Sequence, residues 1–364
     1  MIKKIYRSLN RTKYLLNKLI LSFSKKLVIY TKRHPIFTSV FEDSQFDGFV
    51  FACIDIRSST LTPLEKFLMA RAVLIHADAT AFPNPITDKK MVVECEGRPE
   101  DSFFTYPHIK KILVESRSAG VHFLGHNDKV ALCYPSINIP DLPVRVAKKQ
   151  ITILCVGHGG LLKGYDVVYR LFNTLNTRYN IKLIIAGSMG HNFQYYPELT
   201  KDTYDRADFT GILKELSEHP NVVIQPFKRE ELLRTIYKDA DIYLHLSRME
   251  TFGYSILEAM SFGLPVVSCQ FKAISEMIQD GHNGYLVKSN GYDTQNRDYI
   301  VNINSMEWAD NCYSEALEYI SGLIENDERR QTMGKNALMA AKQQFNMNDK
   351  ITFLNKLYSD IIDS

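Results

Sequence analysis

Glu250 and Glu258 stand eight residues apart in the stretch DIYLHLSRMETFGYSILEAMSFGLPVVS, residues 241–268. Carboxylates at such positions accept hydrogen bonds from sugar hydroxyls. The surrounding pattern reads strand, loop, helix, strand. Asp241 to Ser247 alternates and then runs apolar, as a buried parallel strand does. Arg248 to Gly253 is a polar loop, and Tyr254 to Phe262 sets Ile256, Leu257 and Met260 at helical spacing. Gly263 and Pro265 stop the helix before a second apolar strand, Leu264 to Ser268. The backbone N–H groups of Phe252, Gly253, Tyr254 and Ser255 are then the first donors of a helix, and such a start attracts phosphate. Two acids flanking an anion site suit a ligand with hydroxyls on either side of a phosphate.

Glu250-x7-Glu258 lies within S-x-x-E-x-F-G-x-x-x-x-E-A-M-x-x-G-x-P-V-V, which resembles the signature of the retaining GT-B glycosyltransferases of family 4. The resemblance implies an α/β GT-B fold, two Rossmann-like domains facing a cleft. It implies that Glu250 contacts the donor sugar hydroxyls and Glu258 the ribose. The loop Gly157-His158-Gly159-Gly160-Leu161-Leu162-Lys163-Gly164 is similar to that family's G-R-x-x-x-x-K-G phosphate loop, with His158 in place of arginine. Lys163 is a compact cation able to reach a diphosphate, while the glycines let the backbone approach. Because histidine is only partly charged at neutral pH, either His158 donates as a neutral ring or Arg248 takes over part of its work.

Gly187-Ser188-Met189-Gly190 is expected to border the donor, and the residues after Phe227, including Lys228, to face the base. Glu250 and Lys163 are the expected catalytic residues. Gly157, His158, Gly187, Arg248, Phe252, Gly253, Tyr254, Ser255 and Glu258 complete the expected donor site. The donor is expected to be a UDP- or GDP-sugar, with no metal and no other cofactor. Asp239-Ala-Asp241 has the outline of a D-x-D metal motif but sits at a helix-to-strand junction, and is read as structural. The family's same-face attack, in which the donor phosphate receives the acceptor proton, requires no protein nucleophile.

The elements that must hold these groups alternate regularly. Strands are predicted at Ile151 to Gly157, Ile181 to Gly187 and Val222 to Phe227. Helices are predicted at Tyr165 to Arg178, Ile212 to Glu218 and Arg229 to Lys238. Such alternation makes a parallel sheet with helices on both faces, with ligands at the carboxyl ends of the strands. Residues 46–150 read as a shorter α/β domain. Its strands are predicted at Phe49 to Ile56, Ala72 to His76, Met91 to Cys95, Ile112 to Glu115 and Lys129 to Tyr134, with a helix at Pro63 to Arg71. A proline-marked linker at Pro135 to Pro143 follows. Three helices, near 305–326, 328–345 and 347–363, end the chain. The expected division is 1–41, 42–145, 146–345 and 346–364: a basic amphipathic segment, a reduced acceptor-side domain, the donor domain, and a terminal helix returning to the first domain.

The acceptor side is poorly marked. Glu96 and His76 are the candidates for the position where relatives carry a histidine facing the donor sugar, and His108, His122 and His126 read as structural or surface residues.

At 364 residues, 45% hydrophobic and 23% charged, the composition is that of a globular chain of two ordinary domains. Six cysteines without C-x-x-C spacing read as buried, reduced thiols and not as a disulfide or zinc framework. Residues 1–41 hold ten Lys/Arg and no acid, so the rest of the chain is net acidic despite an overall charge of +3. Residues 1–34 read as one or two basic amphipathic helices, suited either to an anionic membrane surface or to packing on the body of the protein. No apolar run reaches the roughly 20 residues needed to span a bilayer.

The expected partners are a nucleotide sugar, a glycan or lipid-linked glycan acceptor and the membrane surface, with no nucleic acid. The expected location is cytoplasmic, peripheral on the inner face of the plasma membrane. The expected pathway is a surface polysaccharide or lipopolysaccharide. A non-catalytic donor-binding subunit and a sugar-nucleotide epimerase are the rival readings. A nicotinamide enzyme is disfavoured, since no G-x-G-x-x-G opens a helix.

Overall fold

The structure, a computed structural model, describes residues 2–31, 39–41, 46–56, 60–81, 88–125, 127–141, 148–188, 206–293, 298–299 and 305–364. Met189, Gly190, His126 and Pro143 lie outside them. The chain divides into two compact units, residues 1–136 with 345–364, and residues 137–344.

Unit 1 is built on a six-stranded sheet: β1 Lys26–Tyr30, β2 Phe49–Cys53, β3 Leu74–Asp78, β4 Met91–Cys95, β5 Ile109–Val114 and β6 Val130–Leu132. Their order is β2-β1-β3-β4-β5-β6, every pair parallel. The strand β1 corrects the sequence reading, which placed Leu27 on a helical stripe and began the first domain at residue 42. The first helix, Ile2–Leu21, stops before β1; Leu27, Val28, Ile29 and Tyr30 are fully buried in the sheet interior. Four consecutive apolar residues, two of them β-branched, bury both faces of a parallel strand, which no helical stripe requires. The basic segment therefore belongs to unit 1 and completes its sheet.

The helix Pro63–Arg71 opens with a capping box, in which Thr62 accepts from the Glu65 N–H while Glu65 accepts from the Thr62 N–H. The N-terminal helix docks beside it: Arg11 pairs with Glu65, and the Tyr14 hydroxyl accepts the Cys53 N–H at 3.1 Å. Leu15 is 3% exposed, but Leu9, Leu16, Ile20 and Phe23 form a second stripe left 45–72% exposed.

The last helix, Met347–Asp363, closes the other face of the sheet through Leu354, Tyr358 and Ile361. Beneath it Lys350 Nζ lies 2.6 Å from Glu94 Oε1, and His76 Nε2 lies 3.0 Å from Glu94 Oε2. The Tyr358 hydroxyl meets His76 Nδ1 at 2.6 Å. Burial alone would raise the Glu94 carboxyl, but Lys350 and His76 outweigh it and hold it well below the ordinary carboxylate range.

Unit 2 carries β7 Ile151–Val156, β8 Ile181–Ala186, β9 Val222–Gln225, β10 Ile242–His245, β11 Val266–Cys269 and β12 Gly284–Val287. Their order is β12-β11-β10-β7-β8-β9, again all parallel. This is the doubly wound dinucleotide-fold order, whose direction reverses between β7 and β10. Helices Tyr165–Asn176 and Met306–Glu325 cover one face with Val168, Leu171, Phe172, Trp308 and Ile320. Gly334 of helix Asp327–Gln344 packs so closely on the Gly263 carbonyl that a Cβ there would collide with it. The helix expected at Arg229 to Lys238 runs to Asp239 and contains a π-turn at Leu232–Ile236.

Candidate active site

The reversal between β7 and β10 places two loops side by side, 157–164 after β7 and 246–253 after β10. They are stitched together by backbone. The Arg248 N–H donates to the Leu162 carbonyl at 2.8 Å, and Ser247 Oγ donates to it at 3.1 Å. Gly164 sits at φ 69°, where a Cβ would run into the Leu246 carbonyl. Glycine here is required by conformation and by the closeness of the two loops. Gly187, at the end of β8, likewise abuts the Gly157 carbonyl. The methylene stem of Lys163 passes over Gly157, and the Tyr165 hydroxyl donates to the Gly157 carbonyl at 2.8 Å.

Lys163 Nζ reaches Glu250 Oε2 at 2.8 Å, both side chains less than one-fifth exposed. His245, the last residue of β10, is buried beneath them, its Nε2 3.3 Å from the same oxygen. The ring nitrogen is poorly aimed, so no hydrogen bond forms and Nε2 is a buried polar atom without one. Burial alone would raise the Glu250 carboxyl, but the polar edge of the His245 ring facing it, even imperfectly aligned, and the Lys163 ammonium outweigh burial and keep it ionised far below the ordinary range. Burial and Lys163 together lower His245, against the pull of Glu250. His245 escaped the sequence reading because it sits in a strand that otherwise reads as apolar core.

His158 is exposed, and its Nδ1 accepts the Ser188 N–H at 2.8 Å. A ring nitrogen that accepts an N–H carries no proton, so the proton of the neutral ring is on Nε2. Arg248 is not its substitute. Only 1% exposed, it donates to both Asp166 oxygens at 2.8 Å and to the Leu161 carbonyl at 2.6 Å, and lies 4.3 Å from the Trp308 ring centroid. The expected phosphate contact of Arg248 is thereby corrected. Buried and paired with Asp166, it braces the glycine loop through the Leu161 carbonyl.

Glu258, on the helix Tyr254–Ser261, is 4% exposed. One carboxylate oxygen pairs with Arg229 and the other accepts the Tyr237 hydroxyl at 2.8 Å. Tyr237 follows the π-turn, whose extra residue offsets it from Arg229 on the same stretch. Arg229 was missed as a site residue because its partner is 29 positions away. The helix start itself is built as expected: Gly253 is the N-cap at φ 94° with no side-chain cap, and Tyr254 and Ser255 are half-buried in the first turn. Phe252 is fully buried and anchors the loop.

Asp239 and Asp241 are tied into the sheet edge by Lys148 and Thr152. The Asp239 carbonyl accepts from Lys148 at 2.6 Å, and Asp241 accepts the Thr152 N–H at 2.9 Å while pairing with Lys148 at 3.0 Å. In unit 1, His76 is fully buried against Tyr358 and Glu94, which withdraws it as an acceptor-side candidate. Glu96 remains half-buried just past the carboxyl end of β4.

Residues 143–307 match the family model described as glycosyl transferases group 1. The match covers a little under half of the chain, and the two parallel six-stranded sheets have the fold of GT-B structures. An uncharacterized glycosyltransferase of Methanocaldococcus jannaschii is 32% identical over 174 residues, 44% of this chain and 41% of the relative. The D-inositol 3-phosphate glycosyltransferase of Corynebacterium aurimucosum is 30% identical over 210 residues, 56% of this chain and 42% of the relative. The chain thus spans less than half the length of these curated relatives. Among solved structures, Anabaena HepE with UDP and glucose superposes at TM-score 0.62 and 15% identity, over 92% of this chain and 99% of that one. A glycosyltransferase from Rickettsia africae gives TM-score 0.63 and 13% identity, over 93% and 99%.

Proposed function

We propose that the chain is a retaining glycosyltransferase that moves a sugar from a UDP- or GDP-sugar to a hydroxyl of a lipid-linked surface polysaccharide or lipopolysaccharide. The observation that carries this reading is the meeting of Lys163 and Glu250 at the point where the strand order of unit 2 reverses. Breaking the anomeric C–O bond develops charge on the departing diphosphate. Lys163, the Nε2–H of His158 and the helix start at Gly253 to Ser255 would stabilise that charge, a reading supported by the Lys163 position beside Gly157 and the uncapped helix start. Glu250 then orients the sugar through its hydroxyls and Glu258 takes the ribose, displacing or sharing Arg229. The donor phosphate receives the acceptor proton, so no protein nucleophile is assigned.

The HepE structure contains UDP and glucose, which supports a nucleotide-sugar donor here. The exposed stripe Leu9, Leu16, Ile20 and Phe23, beside exposed Arg11, Lys13, Lys25 and Lys26, suits an anionic membrane surface at the cytoplasmic face. No helix among the described residues is long and apolar enough to cross a membrane.

A thermal-shift screen of UDP, GDP and their sugar conjugates tests the donor, since a ligand of the folded form raises the melting point. A transfer and donor-hydrolysis assay on the hits tests the chemistry. Binding without turnover would instead mark a non-catalytic donor-binding subunit, and no binding would overturn the reading.

A further inference from the structure

The pairing of Lys163 with Glu250 poses a problem for a donor site, because the two side chains satisfy one another before any ligand arrives. A diphosphate needs Lys163. Once the lysine turns to it, Glu250 Oε2 is left half-enclosed with its cation gone, while Oε1 retains only a long bond from the Thr251 N–H at 3.2 Å. A carboxylate in that position is free to swing, and a swinging carboxylate cannot hold a sugar hydroxyl in one place.

His245 stands where the missing partner is required. Its Nε2 is already 3.3 Å from Oε2, fails to make a hydrogen bond there only through its aim, and lies at the rigid end of β10. Packing alone does not account for this residue. An apolar side chain of similar volume would fill the strand end without burying an unsatisfied nitrogen, which is destabilising.

We infer that His245 is a positioning residue that takes over Glu250 Oε2, through Nε2–H, when Lys163 turns to the donor diphosphate. The exchange keeps the carboxylate fixed for the sugar hydroxyls while the cation moves to the leaving group. It needs the Nε2–H tautomer and only a small rotation of the ring or the carboxylate. Burial and the adjacent Lys163 favour the neutral imidazole, consistent with a donor and not a second cation.

The inference rests on the donor-site reading above, and the test separates the two. Calorimetry measures binding of sugar-free UDP and GDP, and a hydrolysis assay measures turnover of the UDP- or GDP-sugar that wild type accepts. His245→Leu is expected to leave sugar-free nucleotide affinity within about twofold and to lower kcat by about 10–100-fold, the usual effect of losing an orienting partner. Its melting temperature should equal or exceed that of wild type. His245→Gln, which keeps an N–H donor of similar reach, should restore most of kcat, and His245→Asn, which is too short, should not. Should the leucine variant fail to fold, the Gln-against-Asn contrast decides alone. The inference is overturned if kcat is unchanged in His245→Leu, if nucleotide affinity falls as far as kcat, or if Gln is no better than Asn. If wild type binds neither nucleotide, the donor-site reading itself falls, and this inference with it.

Discussion

Lys163 Nζ and Glu250 Oε2 lie 2.8 Å apart although 87 residues separate them in the chain. The ion pair is the resting state of two groups that the proposed chemistry uses separately. Glu250→Gln should therefore lower transfer by about a thousandfold, the upper range for losing one preorganised electrostatic contact. Sugar-free nucleotide should bind this variant as well as wild type or better, since Lys163 is released. Lys163→Ala should weaken both nucleotide binding and turnover, with less effect on the choice among sugars. Parallel calorimetry and kinetics on the two variants check the split, and normal turnover in Glu250→Gln would count decisively against the assignment.

Arg248 predicts a stability phenotype where a phosphate ligand would give a binding one. Removing one partner of a buried ion pair costs about 3–5 kcal/mol, so Arg248→Met leaves Asp166 buried and uncompensated. In a unit of this size that is a fall in Tm of about 10 °C. Replacing both partners, Arg248→Met with Asp166→Leu, should recover much of the loss. Scanning calorimetry on the single and double variants tests this.

Gly187 and Gly211 make a controlled pair. A Cβ at Gly187 would collide with the Gly157 carbonyl and push the ends of β7 and β8 apart, so Gly187→Ala should lower both Tm and nucleotide affinity. Gly211, in the helix Arg206–Glu218, has nothing within 4 Å of a Cβ. Gly211→Ala should raise stability by about 0.5–1 kcal/mol and leave binding unchanged.

The buried Glu94–Lys350 pair sets an acid limb on stability. The folded carboxyl titrates well below its ordinary value of 4.5, so its contribution is complete above that value and is lost as pH falls through the depressed range. Burial opposes the Lys350 charge but Glu94 outweighs it, so the lysine stays charged at any neutral or acidic pH. Urea midpoints should fall steeply between about pH 4.5 and 2 in wild type. They should fall less in Glu94→Gln, which starts lower because it strands Lys350.

The exposed stripe of the first helix should act in vesicle flotation. Changing Leu16, Ile20 and Phe23 to serine removes apolar area worth several kcal/mol on insertion, at about 25 cal/mol per Å². Binding to phosphatidylserine-containing vesicles should drop at least tenfold while nucleotide affinity holds. Raising salt should weaken wild type as well, through the basic residues. Equal flotation of wild type and triple variant would remove the membrane reading.

The sequence was legible where a residue's role depends on its neighbours in the chain. The helix Pro63–Arg71 and strand Met91–Cys95 lie where propensity and caps put them, and the Glu250 loop sits between the strand and helix read around it. Lys163 and Glu250 were picked out by two separate motifs, and the fold brings them into contact. What stayed hidden depends on distant partners. Arg248 reads as a loop cation until Asp166, 82 residues away, is seen beneath it. Arg229 and Tyr237 gain meaning only against Glu258. His245 is invisible because burial of a polar ring leaves no trace in an apolar pattern. Strand β1 was lost because Leu27 satisfies a helical and an extended pattern equally, and the lysines beside it drew the reading toward an amphipathic helix.

Glu94 receives its counter-ion from residue 350, some 256 positions later in the chain. During synthesis, the whole of residues 137–344 leaves the ribosome first. Until the Met347–Asp363 segment emerges, the nascent sheet of unit 1 must keep an acid and an apolar face waiting. The sheet of unit 1 is thus completed by a segment made after the whole intervening unit, and losing the stretch that carries Lys350, Leu354 and Tyr358 would strand Glu94 and uncover that face while leaving residues 137–344 their own core.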